Sequence, residues 1–295
     1  MNSNVTEIGL VQFGSVYILL LIILWIMKFS RIDKTRLLVL AGFRMSLQLV
    51  LAGLVLTYIF KNPHPVFILA YLAAMIVFSI YRVLSNFEID NKRFRRIIVI
   101  SIGLSGSAVL LFFIYIVVGV SLFNPQYAIP IGGMLFGNSM TGVQLGLKSF
   151  AEQIRGNAAR IEALQNAGAH PKEILIPFVN RAMETAMLPT LNSMLGMGIV
   201  NLPGMMTGQI LSGTLPMTAI IYQIAIIIAI ATVVSLTVFL CLYAGYSTLY
   251  NDRNQIMVHY KSKTRLYRIY QALFFIFLKT VSNSLSCVKR LNSSS

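Results

Sequence analysis

Apolar residues along the chain are concentrated in long stretches separated by short polar loops. The stretches cover residues 8–27, 38–60, 66–84, 97–118, 125–145, 175–200 and 217–248. A bilayer core about 30 Å thick needs roughly 20 apolar residues per helix, so each stretch can cross it. The fifth and sixth stretches are richer in Gly, Asn, Ser and Thr than the others. The pattern predicts an all-α, polytopic membrane protein with about seven transmembrane helices.

Lys and Arg residues lie almost entirely in alternate loops. They follow the first, third and fifth apolar stretches and the last one, whereas the remaining loops contain only Lys61. Because positively charged loops stay in the cytosol, we expect the N-terminus outside and the C-terminus in the cytosol. No positively charged region precedes the first stretch, so we interpret it as an uncleaved anchor. The expected location is the bacterial plasma membrane, as a multi-pass protein.

The composition supports this class: 57% of the residues are hydrophobic, 11% are charged and the mean hydropathy is +0.76. Soluble domains carry about a quarter charged residues. The net charge of +15 would indicate nucleic-acid binding in a soluble chain, but here the charges lie in cytosolic loops. Nucleic acid is therefore not an expected partner. Cys241 and Cys287 form no disulfide framework or CxxC motif.

The cytosolic segment between the fifth and sixth stretches has a helical pattern of its own. Apolar residues recur on one face at Phe150, Ile154, Ala158, Ile161 and Leu164. Gly168 is suited to end this helix and Pro171 to begin the next one. The pattern predicts an amphipathic helix over about 149–170 followed by an elbow. Such a helix either lies at the membrane surface or acts as a lever that docks on a cytosolic partner.

The same segment resembles the cytoplasmic coupling loop of ABC-transporter permeases. Glu162 and Ala163 are followed by Gly168 at the spacing of that motif, while Leu164 replaces its second alanine. In that family, the helix lies in a groove of the ATPase subunit. The resemblance implies that Arg160, Glu162, Ala163 and Gly168 couple the chain to an ATPase.

Three further sequence segments resemble the iron-export ABC-transporter permease family, which includes plant aluminium-tolerance permeases. They are IPIGGMLFGNSM (129–140), IPFVNRAMETAMLPTLNSMLGMGIVNLPGMMTGQILSG (176–213) and AIIYQI (219–224). The resemblance extends over most of residues 37–255. It implies a half-transporter in which two copies of the chain, a homodimer, pair with two separate ATP-binding-cassette subunits.

No phosphate-binding loop of the GxxxxGK[ST] type occurs in the chain, in agreement with that implication. We therefore expect a transport subunit and not an enzyme. The chain should bind no cofactor itself, and ATP and Mg²⁺ should lie on the partner subunit. The three histidines fall in three separate loops, and no nucleophile–base pair is visible.

Polar residues inside apolar stretches are costly and are therefore candidates for a substrate pathway. The pathway candidates are Arg44, Gln48, Arg181, Glu184 and Asn192. Arg181 and Glu184 are close enough along a helix to pair. Two alternatives stay open: Arg181 reaches to the cytosolic surface, and Arg44 makes a structural hydrogen bond. Glu184 is the strongest candidate for a cation ligand or a charge relay.

Methionine provides a second possible signal for a metal. Met183, Met187, Met194 and Met197 lie on one side of a helix, and thioethers are soft metal ligands. The candidate metal ligands are Glu184, Met183 and Met187. Methionine is also a flexible filler between helices, so packing is the alternative.

Small residues on the fifth and sixth stretches predict close helix packing, in a dimer interface or a pathway wall. They are Gly132, Gly133, Gly137, Ser139, Gly142, Gly196 and Gly198. The uncharged segment NLPGMMTGQILSG follows on the outside, and we interpret it as a re-entrant turn or outer gate. Its candidate gate residues are Pro203, Gly204 and Gln209.

The chain thus divides into a permease domain (1–255) and a basic amphipathic tail (256–295). We interpret the tail as a helix lying on membrane lipid, or as an additional contact to the ATPase. The leading hypothesis for function is the permease subunit of an ATP-driven exporter of iron or another metal. The alternatives are an ABC permease for another small solute and an ATP-independent secondary transporter. Substrate and direction rest on the resemblance alone.

Overall fold

The computed structural model of the protein describes residues 9–32, 34–251 and 253–260, and confirms an all-α architecture there. A π-helical turn over Phe113–Val118 continues α4, and a 3₁₀ turn over Tyr246–Leu249 ends α9. The helices are α1 (Leu10–Phe29), α2 (Thr35–Lys61), α3 (Pro65–Asn86), α4 (Lys92–Phe112), α5 (Pro125–Gly156), α6 (Ala158–Asn166), α7 (Pro171–Gly196), α8 (Gly204–Leu211) and α9 (Pro216–Gly245).

Five helices in the described part are long and apolar enough to cross a membrane: α1, α2, α3, α4 with its π-helical turn, and α9. Among the described residues there are thus five candidate spans, where the sequence pattern predicted seven. α5 and α7, with 32 and 26 residues, are long enough but more polar. They correspond to the stretches that are rich in Gly, Asn, Ser and Thr.

Helix starts follow from local sequence signals. Pro125, Pro171 and Pro216 occupy the first turns of α5, α7 and α9, where a missing backbone N–H costs nothing. The Asn91 side chain accepts hydrogen bonds from the Arg93 and Phe94 backbone N–H groups and caps α4.

The predicted helix over 149–170 is divided into two. α5 continues without interruption to Gly156, a break falls at Asn157, and α6 begins at Ala158. The Asn157 side chain donates a hydrogen bond back to the Gln153 carbonyl, which favours this break. The elbow at Gly168 and the new start at Pro171 are as predicted, and Gly168 has φ +83°.

α5 is the central helix of the bundle and packs against α3, α4, α7 and α9. Its buried face includes Leu135, Phe136, Val143 and Phe150. By contrast, α1 and α2 contact each other at the edge of the bundle and expose most of their large apolar side chains. Such exposed apolar surface is what lipid-facing helices require.

A buried hydroxyl cluster joins α4, α5 and α9. The Ser105 and Thr237 hydroxyls lie 2.5 Å apart, and the Ser139 hydroxyl donates to the Thr237 oxygen at 3.1 Å. Ser105 also donates to the Ser101 carbonyl. These bonds satisfy hydroxyl groups that would otherwise be buried without partners.

Candidate functional site

The α5–α7 pair is held together by small residues on both helices. A Cβ placed on Gly146 would meet Ala186 Cβ of α7 at 3.2 Å, and one on Gly142 would meet Val234 Cγ1 of the adjacent α9 at 2.6 Å. Ala182 and Ala186 are spaced four residues apart, as the two glycines are, so the backbones approach closely. Gly142 was among the predicted close-packing residues, whereas Gly146 was not. Gly133, Gly137, Gly196 and Gly198 make no such close approach within the described bundle.

Polar side chains form a strip along the exposed side of α5. They recur three or four residues apart, so they share one face of the helix. Lys148 Nζ lies 3.8 Å from Glu152 Oε1 near the C-terminal end of the helix. The exposed members of this strip are Asn138, Thr141, Lys148 and Glu152.

Two clefts open along this strip and share Thr141 and Leu145. The larger has a volume of about 460 Å³ and is lined by Lys34, Gln144 and Lys148. The Gln144 Nε2 atom is buried and has no hydrogen-bond partner among the described residues. The smaller, about 190 Å³, lies between α5, α7 and α9 and is lined by polar residues of two of these helices: Asn138, Thr141, Thr190 and Ser193.

α7 carries Arg181 and Glu184 on the face that points away from the bundle. Both are exposed, as are Leu188 and Leu191 further along the same face. Glu184 is near the middle of the helix, about 20 Å from its start at 1.5 Å per residue. The expected Arg181–Glu184 ion pair is not formed in the described part of the chain. Asn192 is also exposed, near the C-terminal end of α7.

Arg44 and Gln48 are half-buried on α2. α2 packs against α1 and touches α5, and it is not part of the α5–α7 pair. The structure therefore does not bring these two predicted pathway residues together with Arg181 and Glu184.

The methionines of α7 lie on its flank beside the bundle. Met183 is half-buried against the core, and Met187 is half-buried as well. The Gln223 amide donates to Met197 Sδ at 3.8 Å. Within the described residues there is no group of three or more His, Cys, Asp or Glu side chains placed to hold a metal.

The predicted gate residues lie at the start of α8 and on it. Pro203 precedes the first turn, Gly204 begins the helix, and α8 packs against α9. Gln209 is half-buried, and its Oε1 atom has no hydrogen-bond partner in the part of the chain that the structure describes.

α6 presents its predicted coupling residues to the surface. Arg160, Glu162 and Ala163 are exposed, whereas Ile161 is buried against the bundle. Leu164, expected on the apolar face, is 37% exposed because the break at Asn157 turns α6 relative to α5. Of the predicted tail, residues 261–295 lie outside the described part.

Sequence reasoning missed the polar strip of α5 and its clefts. The signal was present, because Asn138, Thr141, Lys148 and Glu152 are spaced three, seven and four residues apart. The helical spacing shows that they share a face, but only the packing of α5 shows that this face is uncovered.

These features define the class: a polytopic helical membrane protein with two polar helices paired at its centre. Residues 10–250 match the model of the uncharacterised protein family UPF0014, and the chain belongs to this family.

Three relatives illustrate the similarity. The UPF0014 membrane protein YjkA of Bacillus subtilis is 30% identical over 243 residues, covering 81% of this chain and 94% of the relative. The probable iron export permease protein FetB of Escherichia coli is 30% identical, covering 73% and 82%. The Protein ALUMINUM SENSITIVE 3 of Arabidopsis thaliana is 31% identical, covering 72% and 78%. No solved structure shows a significant match.

Proposed function

We propose that the chain is the permease subunit of an ATP-driven exporter of iron or another metal in the bacterial cell membrane. The observation that carries the proposal is the uncovered polar face of the α5–α7 pair. The similarity to a protein named as a probable iron export permease supports the choice of iron.

Seven spans, with the N-terminus outside, are part of this proposal. At 1.5 Å per residue, α5 is about 48 Å long and α7 about 39 Å, enough to cross a 30 Å core. Both pack in the same bundle as the apolar helices α4 and α9. These neighbours shield only part of α5 and α7 from lipid, so the polar face that stays uncovered needs a further partner.

A second copy of the chain would cover the α5–α7 face. Exposing a charged side chain to the bilayer centre costs about 2.5–3.5 kcal/mol on insertion scales, and Glu184 is exposed near the middle of α7. In a homodimer, the two polar faces would enclose one pathway lined from both copies. Arg181, Glu184 and Asn192 would then line it together with Asn138 and Thr141.

α6 provides the contact for a separate ATP-binding-cassette subunit. Its exposed surface carries the small residues Ala158, Ala159 and Ala163 next to the charged Arg160 and Glu162. Small side chains allow a short helix to enter a groove, and the two charges orient it. ATP and Mg²⁺ belong to that partner.

The test is reconstitution of the chain with its ATP-binding subunit in lipid vesicles. We expect Fe²⁺ to stimulate ATP hydrolysis and to be moved by it. Glu184→Gln should weaken the apparent affinity for the metal by about tenfold, equivalent to about 1.4 kcal/mol.

Glu173→Gln is the matched control, because it makes the same change in the first turn of the same helix. If Fe²⁺, Mn²⁺ and Zn²⁺ all leave ATP hydrolysis unchanged, the metal assignment is wrong. If the two variants are equally impaired, Glu184 has no special place in the pathway.

A further inference from the structure

The residues that follow α9 return to the bundle as a small hairpin. We call the described residues 250, 251 and 253–260 the post-α9 segment. The Asn251 N–H donates to the Gln255 carbonyl, and the Met257 N–H donates to the Leu249 carbonyl at 2.7 Å. Asn254 takes φ +57° at the turn, a conformation that Asn tolerates better than most residues. The segment therefore has a defined shape beside the membrane domain.

The end of this segment pairs with the loop between α3 and α4. The Asp90 N–H donates to the His259 carbonyl at 2.7 Å, and Ile89 forms a β-bridge with Tyr260. Ile89 is fully buried. The neighbouring Asn91 side chain donates to the Thr248 carbonyl at 2.7 Å, which ties the same loop to the end of α9.

A third element joins at Arg155, in the last turn of α5. Arg155 Nη2 lies 2.8 Å from Glu88 Oε2, and its guanidinium carbon lies 4.4 Å from the centre of the Tyr260 ring. Arg155 therefore contacts two elements at once. Burial raises the pKa of the Tyr260 hydroxyl, although the neighbouring Arg155 acts in the opposite direction.

The post-α9 segment also reaches the C-terminal end of α6. The Gln165 amide donates to the Asn254 carbonyl at 3.4 Å, and the His170 and Tyr250 rings meet edge to face at 6.4 Å. A cleft of about 600 Å³ lies between the elbow and this segment, lined on one side by Glu162 and Gly168 and on the other by Arg253 and Met257.

We infer that the post-α9 segment is a brace that sets the position of α6, with Tyr260 and Arg155 as its positioning residues. α6 has only nine residues, and a helix of that length depends on tertiary contacts for its stability. The brace contacts Arg155 just before α6 and Gln165 in the last turn of α6, and it links both to the α3–α4 loop and to the end of α9. The match to the family ends at residue 250, so most of the brace lies beyond it.

The significance of the brace for transport rests on the proposed function, in which α6 transmits conformational changes of the ATPase to the membrane helices. A helix that is held against α9 and the α3–α4 loop moves with them as one body. Without the brace, α6 keeps its connections to α5 and α7 and the buried contact of Ile161 with the bundle.

The first experiment measures the local stability of α6 and does not require transport. Hydrogen exchange of the α6 amides is followed in the full-length chain reconstituted in lipid nanodiscs. Tyr260→Leu removes the ring beside Arg155 and should speed exchange in α6 and the α3–α4 loop about two- to fivefold. Tyr260→Phe keeps the ring and should exchange at the wild-type rate.

Tyr115→Leu is the control, because Tyr115 is an exposed tyrosine in the π-helical turn after α4 and makes no contact with the brace. Unchanged α6 exchange in Tyr260→Leu would overturn the inference. So would the same acceleration in Tyr115→Leu, since it would show a general loosening of the chain.

The second experiment uses the reconstituted complex with its ATP-binding subunit. Tyr260→Leu should keep most of the ATP hydrolysis but lower the amount transported per ATP, and Tyr260→Phe should restore it. Faster α6 exchange with unchanged transport per ATP would leave the brace in place and refute α6 as the coupling contact. Normal α6 exchange would refute the brace whatever the transport result.

Discussion

Close helix contact in this protein depends on single residues that lack a side chain. Gly142 on α5 lies so near α9 that a Cβ atom would approach Val234 Cγ1 to 2.6 Å. Val234 is itself buried and has little freedom to move. The packing of α5 against α7 and α9 therefore depends on this glycine.

We predict that Gly142→Leu destabilises the detergent-solubilised chain by about 1–3 kcal/mol, because the added side chain overpacks the α5–α9 contact. A lowered thermal unfolding midpoint would show the effect. Gly137→Leu is the matched control on the same helix, where a Cβ meets no atom within 4 Å. Equal midpoints for the two variants would contradict the packing described for α5.

For single residues, the sequence shows which positions carry a glycine but does not show which glycines contact another helix. It predicted close packing at Gly142, but also at Gly133 and Gly137, which make no close approach here. It missed Gly245, which lies directly against the Phe94 ring. A glycine signals that close approach is possible, whereas the partner atom comes from a helix distant in sequence.

At the scale of helices, the elbow between α6 and α7 was the element most fully predicted. Gly168 takes a positive φ of +83°, and the next helix begins three residues later at Pro171. Glycine adopts the left-handed conformation without strain, and proline suits the first turn of a helix because it has no backbone N–H that needs a partner. These are local properties, so they can be predicted from a few neighbouring residues.

We predict that Gly168→Val weakens the elbow by about 1–2 kcal/mol, because a β-branched residue resists the left-handed conformation. A Cβ at this position meets nothing within 4 Å, so the cost is in the backbone alone. Gly168→Asn should be tolerated better, since Asn enters that conformation more easily. The thermal unfolding midpoints and the coupled ATP hydrolysis of the two variants are compared. Equal values for Gly168→Val and Gly168→Asn would contradict a cost that arises from the left-handed backbone.

The break between α5 and α6 was not predicted, although the sequence shows a polar residue, Asn157, at the position where it occurs. Asn157 interrupts the apolar face of the predicted helix, and its side chain bonds to the backbone of the preceding turn. An isolated polar residue in a helical pattern is compatible with continuation or with a break. In the structure Ile154 at the end of α5 and Ile161 in α6 are both buried, on either side of the break.

For the whole molecule, the decisive question is whether α5 and α7 cross the membrane. A topology with only the five apolar spans and one with seven give the same side for every loop except the segment containing α6. In the first topology α6 is outside, and in the second it is cytosolic. The basic residues Lys148, Arg155, Arg160 and Lys172 favour the cytosolic side.

We predict that Ala163→Cys is protected from a membrane-impermeant maleimide in intact cells and is labelled after permeabilisation. The experiment uses a background with Cys241→Ala and Cys287→Ser. Asp90→Cys is the control for a cytosolic position and Asn62→Cys for an external one, because both topologies agree on them. Labelling of Ala163→Cys in intact cells would remove α5 and α7 from the set of spans.

The sequence by itself determined the membrane class, the helices and the elbow, because hydropathy, charge and backbone preference are properties of short segments. Only the tertiary structure decided which faces are covered. It paired α5 with α7 and left their polar side chains exposed, and it brought Glu88, Arg155 and Tyr260 together from three distant parts of the chain. Such contacts depend on how helices pack, and neither the spacing nor the type of these residues indicates their partners.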